Sequence, residues 1–182
     1  MLNGIDPKVL ESLLQNESIA YADVFYSSQI RASESMTTLA GIDFKAWENR
    51  VDQIWLKPPG SLTVTKNAQP AYVSEAFARR FGVFDGGSVQ VSTRHGDKLV
   101  SPVGIFADYG NEFGTAAIDK TTWMAWTDSA RPANVSLFLK PDSFVNEIRD
   151  EMRLAFPGLE IRNQNELKHV ALKIFNQTFS ST

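Results

Sequence analysis

The spacing of apolar residues changes twice within the first 51 positions. Asp6-Pro7 precedes Val9, Leu10, Leu13 and Leu14, a stripe at helical spacing. Aspartate is a good N-cap and proline is favoured at the first helical position, so a helix starts there and ends at Asn16-Glu17-Ser18. From Ala22 to Ala32 the period falls to two: Val24, Tyr26, Ser28 and Ile30 alternate with Asp23, Phe25, Ser27 and Gln29. That predicts a long strand. Ser33-Glu34 is a turn, and Met36 to Phe44 is a second strand, so the two make a hairpin. Asp43 is placed to cap a short helix carrying Trp47 and Val51 on one side.

Lys57-Pro58-Pro59-Gly60-Ser61 breaks the pattern. Beyond it, Ser74 is a natural N-cap for a short helix with Phe77 and Phe81 one turn apart, closed by Gly82. Asp85-Gly86-Gly87 is a turn, and Ser88 to Thr93 and Leu99 to Phe106 are strands joined at His95-Gly96. After Arg131-Pro132, Ala133 to Lys140 reads as a strand. Asp142 is expected to cap a helix with Phe144, Val145, Ile148, Met152 and Ala155 on one face. Phe156-Pro157-Gly158 stops that helix. Leu159 to Arg162 is a short strand, and Asn163-x-x-Glu166 resembles a capping box opening a final helix to about Phe179.

A hairpin and one amphipathic helix cannot bury enough apolar surface alone. The matching strands and helix arrive only after residue 132. The expected fold is therefore α+β, with a four-stranded sheet carrying helices on one face. It is built from two chain segments, 1–66 and 132–182, around an inserted small β-rich subdomain at 67–131.

Composition narrows the function classes. The hydrophobic fraction of 43% and charged fraction of 21% belong to a globular chain. A net charge of −3 and the lack of any Lys/Arg run argue against nucleic-acid partners and polybasic lipid binding. The chain has no cysteine, which removes disulfides, thiol nucleophiles and Cys-based zinc sites. Met1-Leu2-Asn3-Gly4-Ile5-Asp6-Pro7 does not read as a signal peptide, and no stretch approaches the ~20 apolar residues that span a bilayer.

Candidate chemistry is sparse. The two histidines, His95 and His169, have no partner at ligand spacing in the sequence. Asp43, Glu48 and Asp52 lie close together, and Asp108, Glu112 and Asp119 flank a glycine-containing turn. Caps and solvated faces account for these carboxylates. No phosphate-cradling glycine loop and no Gly-x-Ser-x-Gly elbow occurs. No catalytic residue, cofactor or metal ligand is therefore assigned. The four tryptophans, Trp47, Trp55, Trp123 and Trp126, suit either core packing or, with Phe113, an exposed apolar patch that contacts a partner. Both readings stand at this level, and Phe113, Trp123 and Trp126 are the candidate contact residues.

Five segments in order carry a family resemblance. They are Val73-Ser-Glu-Ala-Phe-Ala-Arg-Arg-Phe-Gly-Val83, Gly87-Ser-Val-Gln-Val91, Val103-Gly-Ile-Phe-Ala-Asp-Tyr-Gly110, Val135-Ser-Leu-Phe-Leu-Lys-Pro141, and Glu166-Leu167 with Lys173-Ile-Phe-Asn-Gln-Thr-Phe179. The chain resembles the extracytoplasmic (periplasmic) domain of FtsX-like/MacB-like ABC transporter permeases. The resemblance implies a porter-like discontinuous subdomain and an inserted sabre-like one, outside the bacterial cytoplasmic membrane, as a soluble piece of an integral membrane protein. It implies a non-enzymatic role in mechanotransmission: coupling cytoplasmic ATP hydrolysis to movement or export of a lipoprotein, lipid, peptide or drug. The implied partners are a separate ATP-binding subunit, a second permease copy or paralogue, and a periplasmic or lipoprotein partner. The final helix would act as a lever running on into the membrane. The alternative from another class is a free-standing periplasmic module that binds a lipid or peptide.

Overall fold

The computed structural model describes residues 4–50, 53–165 and 170–177. In chain order the elements are α1 (Pro7–Leu14), β1 (Ile19–Ala32), β2 (Ser35–Ile42), α2 (Phe44–Glu48), β3 (Trp55–Lys57), β4 (Gln69–Ser74) and α3 (Glu75–Arg80). There follow β5 (Val89–Thr93), β6 (Gly96–Phe106), β7 (Thr115–Asp119), α4 (Lys120–Thr127), β8 (Asn134–Leu139), α5 (Val145–Ala155), β9 (Leu159–Asn165) and β10 (Val170–Asn176).

The chain forms two compact units. One comprises Met1–Phe25 with Ala130–Thr182, and the other is Tyr26–Ser129. The long strand β1 supplies both. Its first half pairs antiparallel with β8, from Ile19↔Leu139 to Phe25↔Asn134. Its second half pairs with β2, from Tyr26↔Gly41 to Ala32↔Ser35.

The first unit is an open antiparallel sheet in the order β1-β8-β10-β9. One face carries the core. Val135, Leu137 and Leu139 of β8, Leu172 and Ile174 of β10, and Ile161 of β9 pack with Leu13 of α1 and with Ile148 and Met152 of α5. The side chain of Asp6 accepts from Lys8 N at 2.8 Å, capping α1 as the sequence suggests. The chain entering α1 is anchored by Ile5 N donating to Pro132 O at 2.8 Å.

The second unit is a ring. β2 pairs with β7, β7 with β4, β4 with β6, β6 with β5, β5 with β1, and β1 returns to β2. Two of these joins, β2–β7 and β4–β6, are parallel. The two narrowest are β1–β5, where Arg31↔Ser92 and Ala32↔Val91 pair, and β4–β7, where Tyr72↔Ala117 and Val73↔Ala116 pair. β3 lies outside the ring and pairs with the end of β6. Helix α4 packs on β2 where Gly41 removes a side chain: a Cβ there would lie 2.7 Å from Trp123 Cβ. Trp123 uses that space to reach Leu39 O with its Nε1 at 2.9 Å.

Several expectations need correction. The sheet is ten-stranded rather than four-stranded, because β1 carries the ladder from one set of strands to the other. The sequence boundary at 66/67 moves to 25/26, since β2 and the segment after it belong with the ring. The break at Lys57-Pro-Pro-Gly-Ser is held along β6, where Gly60 N donates to Val103 O at 2.8 Å. The final helix is instead β9 running on to Asn165 and then β10. Val170, Ile174 and Phe175 are β-favouring residues in a short apolar run whose period alone does not separate helix from buried strand. Pairing on both edges, with β8 and β9, settles it. Asp142 does not cap α5; it has φ +66, and Phe144 occupies the cap position with no side-chain hydrogen bond. Of the stripe expected on α5, Ile148 and Met152 are buried, whereas Phe144 is 73% exposed. Val51, Asp52, Glu166, His169 and Phe179 lie outside the described residues.

Candidate partner-contact surface

The β6–β7 loop, residues 107–114, is held by its own polar side chains. Asp108 Oδ1 accepts from Gly110 N at 2.9 Å, a turn that aspartate forms readily. Asn111 Oδ1 accepts from Phe113 N at 3.1 Å. Asn111 Nδ2 donates to Thr38 Oγ1 at 3.1 Å and Thr115 Oγ1 at 3.2 Å, bridging β2 and β7. Below the loop, Thr37 Oγ1 lies 2.9 Å from Gly114 O and 3.2 Å from Phe113 O. Gly114 has φ +86, and a Cβ there would meet the Phe77 backbone at 2.8 Å, so only glycine fits. Arg80 Nη1 completes the clamp by donating to Phe113 O at 2.6 Å and Met36 O at 2.7 Å.

With its backbone fixed, this loop displays apolar side chains. Tyr109 is 88% exposed and Phe113 67%, and Met36 is half-exposed on the strand that shares Arg80 with Phe113. The guanidinium carbon of Arg80 lies 6.0 Å from the Phe113 ring centroid and 5.2 Å from that of Phe81. Rigid aromatic side chains beside an arginine are the residue types that dominate protein interfaces, because they bury much area at little cost in conformational entropy.

The other aromatic candidates fare differently. Trp123 is buried, packed with its ring tilted against Tyr26 at 5.1 Å between centroids and bonded to Leu39 O, so its ring cannot face a partner. Trp126 is half-buried on the same helix. Trp47 and Trp55 pack in an aromatic cluster with Phe106 and Tyr72. Core packing therefore explains Trp47, Trp55 and Trp123. Tyr109, Met36 and Arg80 were not singled out by sequence. The available signal was an aromatic residue between Asp108 and Gly110 in a turn after a strand, where no neighbour covers a side chain.

The polar groups are structural. Asp43 accepts from Lys45 N at 3.0 Å and Ala46 N at 3.3 Å, capping α2. Asp119 accepts from Thr121 N at 3.0 Å and from the Thr121 hydroxyl, capping α4. Glu48 accepts from Tyr72 OH at 2.7 Å. Burial, reinforced by the Glu48 hydrogen bond and charge, pushes the Tyr72 phenol well above its usual value, so it stays protonated and serves as a donor. His95 does have a partner in space: its Nε2 lies 2.9 Å from Asp128 Oδ1, an exposed pair between the β5–β6 turn and the end of α4. Among the described residues no group of three or more His, Asp or Glu is placed to hold a metal ion, and no helix is long and apolar enough to cross a membrane.

The fold has solved counterparts. The extracellular domain of the noncanonic ABC-type transporter YknZ from Gram-positive bacteria superposes with TM-score 0.58 at 13% identity, covering 85% of this chain and 83% of that one. The periplasmic region of MacB from Actinobacillus actinomycetemcomitans gives TM-score 0.52 at 12% identity, with 86% and 76% covered. A domain of a putative permease protein from Porphyromonas gingivalis gives 0.50 at 12% identity, with 99% and 84% covered. No family model and no curated protein matches the chain by sequence. The protein thus has the fold of the extracytoplasmic domains of ABC-type transporter permeases, as its motif order suggested.

Proposed function

We propose that this chain is the non-catalytic extracytoplasmic domain of an ABC-type permease, coupling ATP hydrolysis by a separate cytoplasmic subunit to movement of a substrate outside the membrane. The observation that carries this reading is the likeness to three such domains over at least 85% of the chain, both units included. The open sheet corresponds to the porter-like part and the ring to the inserted, sabre-like part. The first and last described elements, α1 and β10, both lie in the open sheet. In this reading, motion in the membrane enters through a helix packed on the sheet and through a strand paired on both sides. A strand paired on both sides transmits displacement as a packed body does. Tyr109 and Phe113 are the surface offered to a periplasmic or lipoprotein partner, with Trp126 at most a secondary contact.

The absence of native cysteine in this chain makes a direct test simple. Glu112→Cys is introduced into the parent protein, and intact cells are treated with a membrane-impermeant maleimide, with the unmodified parent as background. Labelling from outside is expected; labelling only after lysis overturns the assignment. In the same parent, Tyr109→Ala with Phe113→Ala should abolish transport or signalling while leaving the fold and basal ATP turnover intact. Both side chains are exposed, so the stability change should stay within about 0.5 kcal/mol.

A further inference from the structure

The open sheet ends at β9, and among the described residues no strand pairs with its outer side. The register shows which backbone groups face outward. Gln177 N donates to Gly158 O at 3.1 Å, continuing the ladder in which Ile161 faces Ile174 and Arg162 faces Lys173. In an antiparallel pair, bonded and non-bonded residues alternate. Gly158, Glu160, Arg162 and Gln164 therefore turn their backbone groups toward β10, and Leu159, Ile161 and Asn163 turn theirs outward. Leu159 N is already taken by Phe156 O at 3.0 Å.

Helix α5 lays a polar seam along this edge. Arg153 donates from both Nε and Nη2 to Ile161 O, at 3.2 and 2.7 Å. Arg149 Nη1 donates to Asn163 Oδ1 at 3.1 Å, and Asn163 Nδ2 donates to Asn146 Oδ1 at 3.0 Å. Asp150 orients both arginines, with its Oδ1 at 3.1 Å from Arg149 Nε and 3.8 Å from Arg153 Nη1.

We propose that Arg153 is an edge guard: its forked donation to the Ile161 carbonyl occupies the outward acceptor of β9 and prevents strand addition by a second copy of this chain. The occupant excluded is specified by the edge itself. Two identical β9 edges related by a twofold axis offer each other matching N–H and C=O groups, the pairing that open sheets must block. A charged side chain held across the edge both uses the acceptor and places like charges opposite one another in such a dimer.

The test is sedimentation over a concentration series with the whole chain. The wild type should remain monomeric. Arg153→Met, which keeps the aliphatic stem, should tighten self-association by about tenfold or more. Adding Asn163→Pro should restore the monomer, because proline removes an outward N–H that the β9–β10 ladder does not use. Concentration-dependent protection of the Ile161 and Asn163 amides in hydrogen exchange should accompany association. Should Arg153→Met fail to fold, Arg153→Lys carries the test; it keeps the charge and loses the fork, and is expected to associate measurably more tightly than wild type. A folded variant that sediments as wild type overturns the proposal. So does association that Asn163→Pro leaves unchanged, which would locate the contact elsewhere.

Discussion

The ring and the open sheet solve one problem by different means. In the ring, each of β1, β2, β4, β5, β6 and β7 has a neighbour on both sides, so closure itself satisfies the backbone. The open sheet is wholly antiparallel and leaves one strand with a bare side, which side chains of α5 must manage. Closure demands close approaches, and the ring meets them with Gly41 under Trp123 and Gly114 against Phe77. The sheet needs no such glycine within its strands, but depends on a helix for its polar trim. The ring is therefore the part able to present a rigid surface, and the sheet the part exposed to unwanted pairing.

The comparison implies that each unit has its own core and can be loosened separately. Trp123→Ala removes a buried ring and the Nε1–Leu39 O bond, and should cost about 3–5 kcal/mol. Hydrogen exchange should then show protection lost across β2 and β7 and kept in β8, β9 and β10. Leu172→Ala, at a fully buried position of the sheet, should do the reverse at a cost of about 2–5 kcal/mol. Uniform loss in either variant would show that the two parts unfold as one.

How far the sequence revealed these parts follows from the range of the contacts. Local features were legible: Asp6, Asp43 and Ser74 as caps, the β1–β2 and β5–β6 hairpins, and the apolar faces of α1 and α5. The ring was not legible, because its closure rests on β2–β7 and β4–β6, parallel joins whose partners have no turn between them to announce the pairing. Without β7 beside it, β2 looked like a strand of the open sheet, and that error moved the boundary to residue 66. β10 resembles a helix in sequence because Val170, Ala171, Leu172, Ile174 and Phe175 are interrupted only by Lys173, a run with no clear period of two. The exposure of the candidate contact residues was half legible. Phe113 stood out as an aromatic residue in a turn, but whether Trp123 faced solvent depended on Gly41, some 80 residues away in sequence.

Smaller effects probe the ring's close approaches. Gly41→Ala forces a methyl against Trp123 and should cost about 1–3 kcal/mol. Ser74→Ala should cost a similar amount, about 1–3 kcal/mol, because the buried Ser74 Oγ accepts from Phe77 N and Thr115 N and its loss leaves both N–H groups unsatisfied. Thermal unfolding followed by near-ultraviolet dichroism measures both. If Gly41→Ala is neutral, α4 is free to ride outward and the ring is looser than its geometry indicates.

The smallest predicted effect is alkaline. Two phenols held above their usual values, Tyr26 and Tyr72, belong to the ring, the first raised by burial and the second by burial and Glu48. An unfolded tyrosine ionises near pH 10, whereas in the folded state the phenol keeps its proton to higher pH. The folded state thus binds the proton more tightly. The stabilisation is fully present below pH ~10 and is lost as pH rises from there toward the folded value. Tyr72→Phe removes the bond to Glu48 and should cost about 0.5–1.5 kcal/mol at neutral pH. It also removes a phenol whose ionisation favours the unfolded state, so the variant should lose less stability than wild type between about pH 9 and pH 11. Denaturant unfolding at a series of pH values, with exchange assigning the loss to β2, β4 and β6, reads this directly. Parallel wild-type and variant curves would mean that Tyr72 does not set the alkaline limit. A loss located in β8 and β10 would contradict the assignment of alkaline sensitivity to the ring.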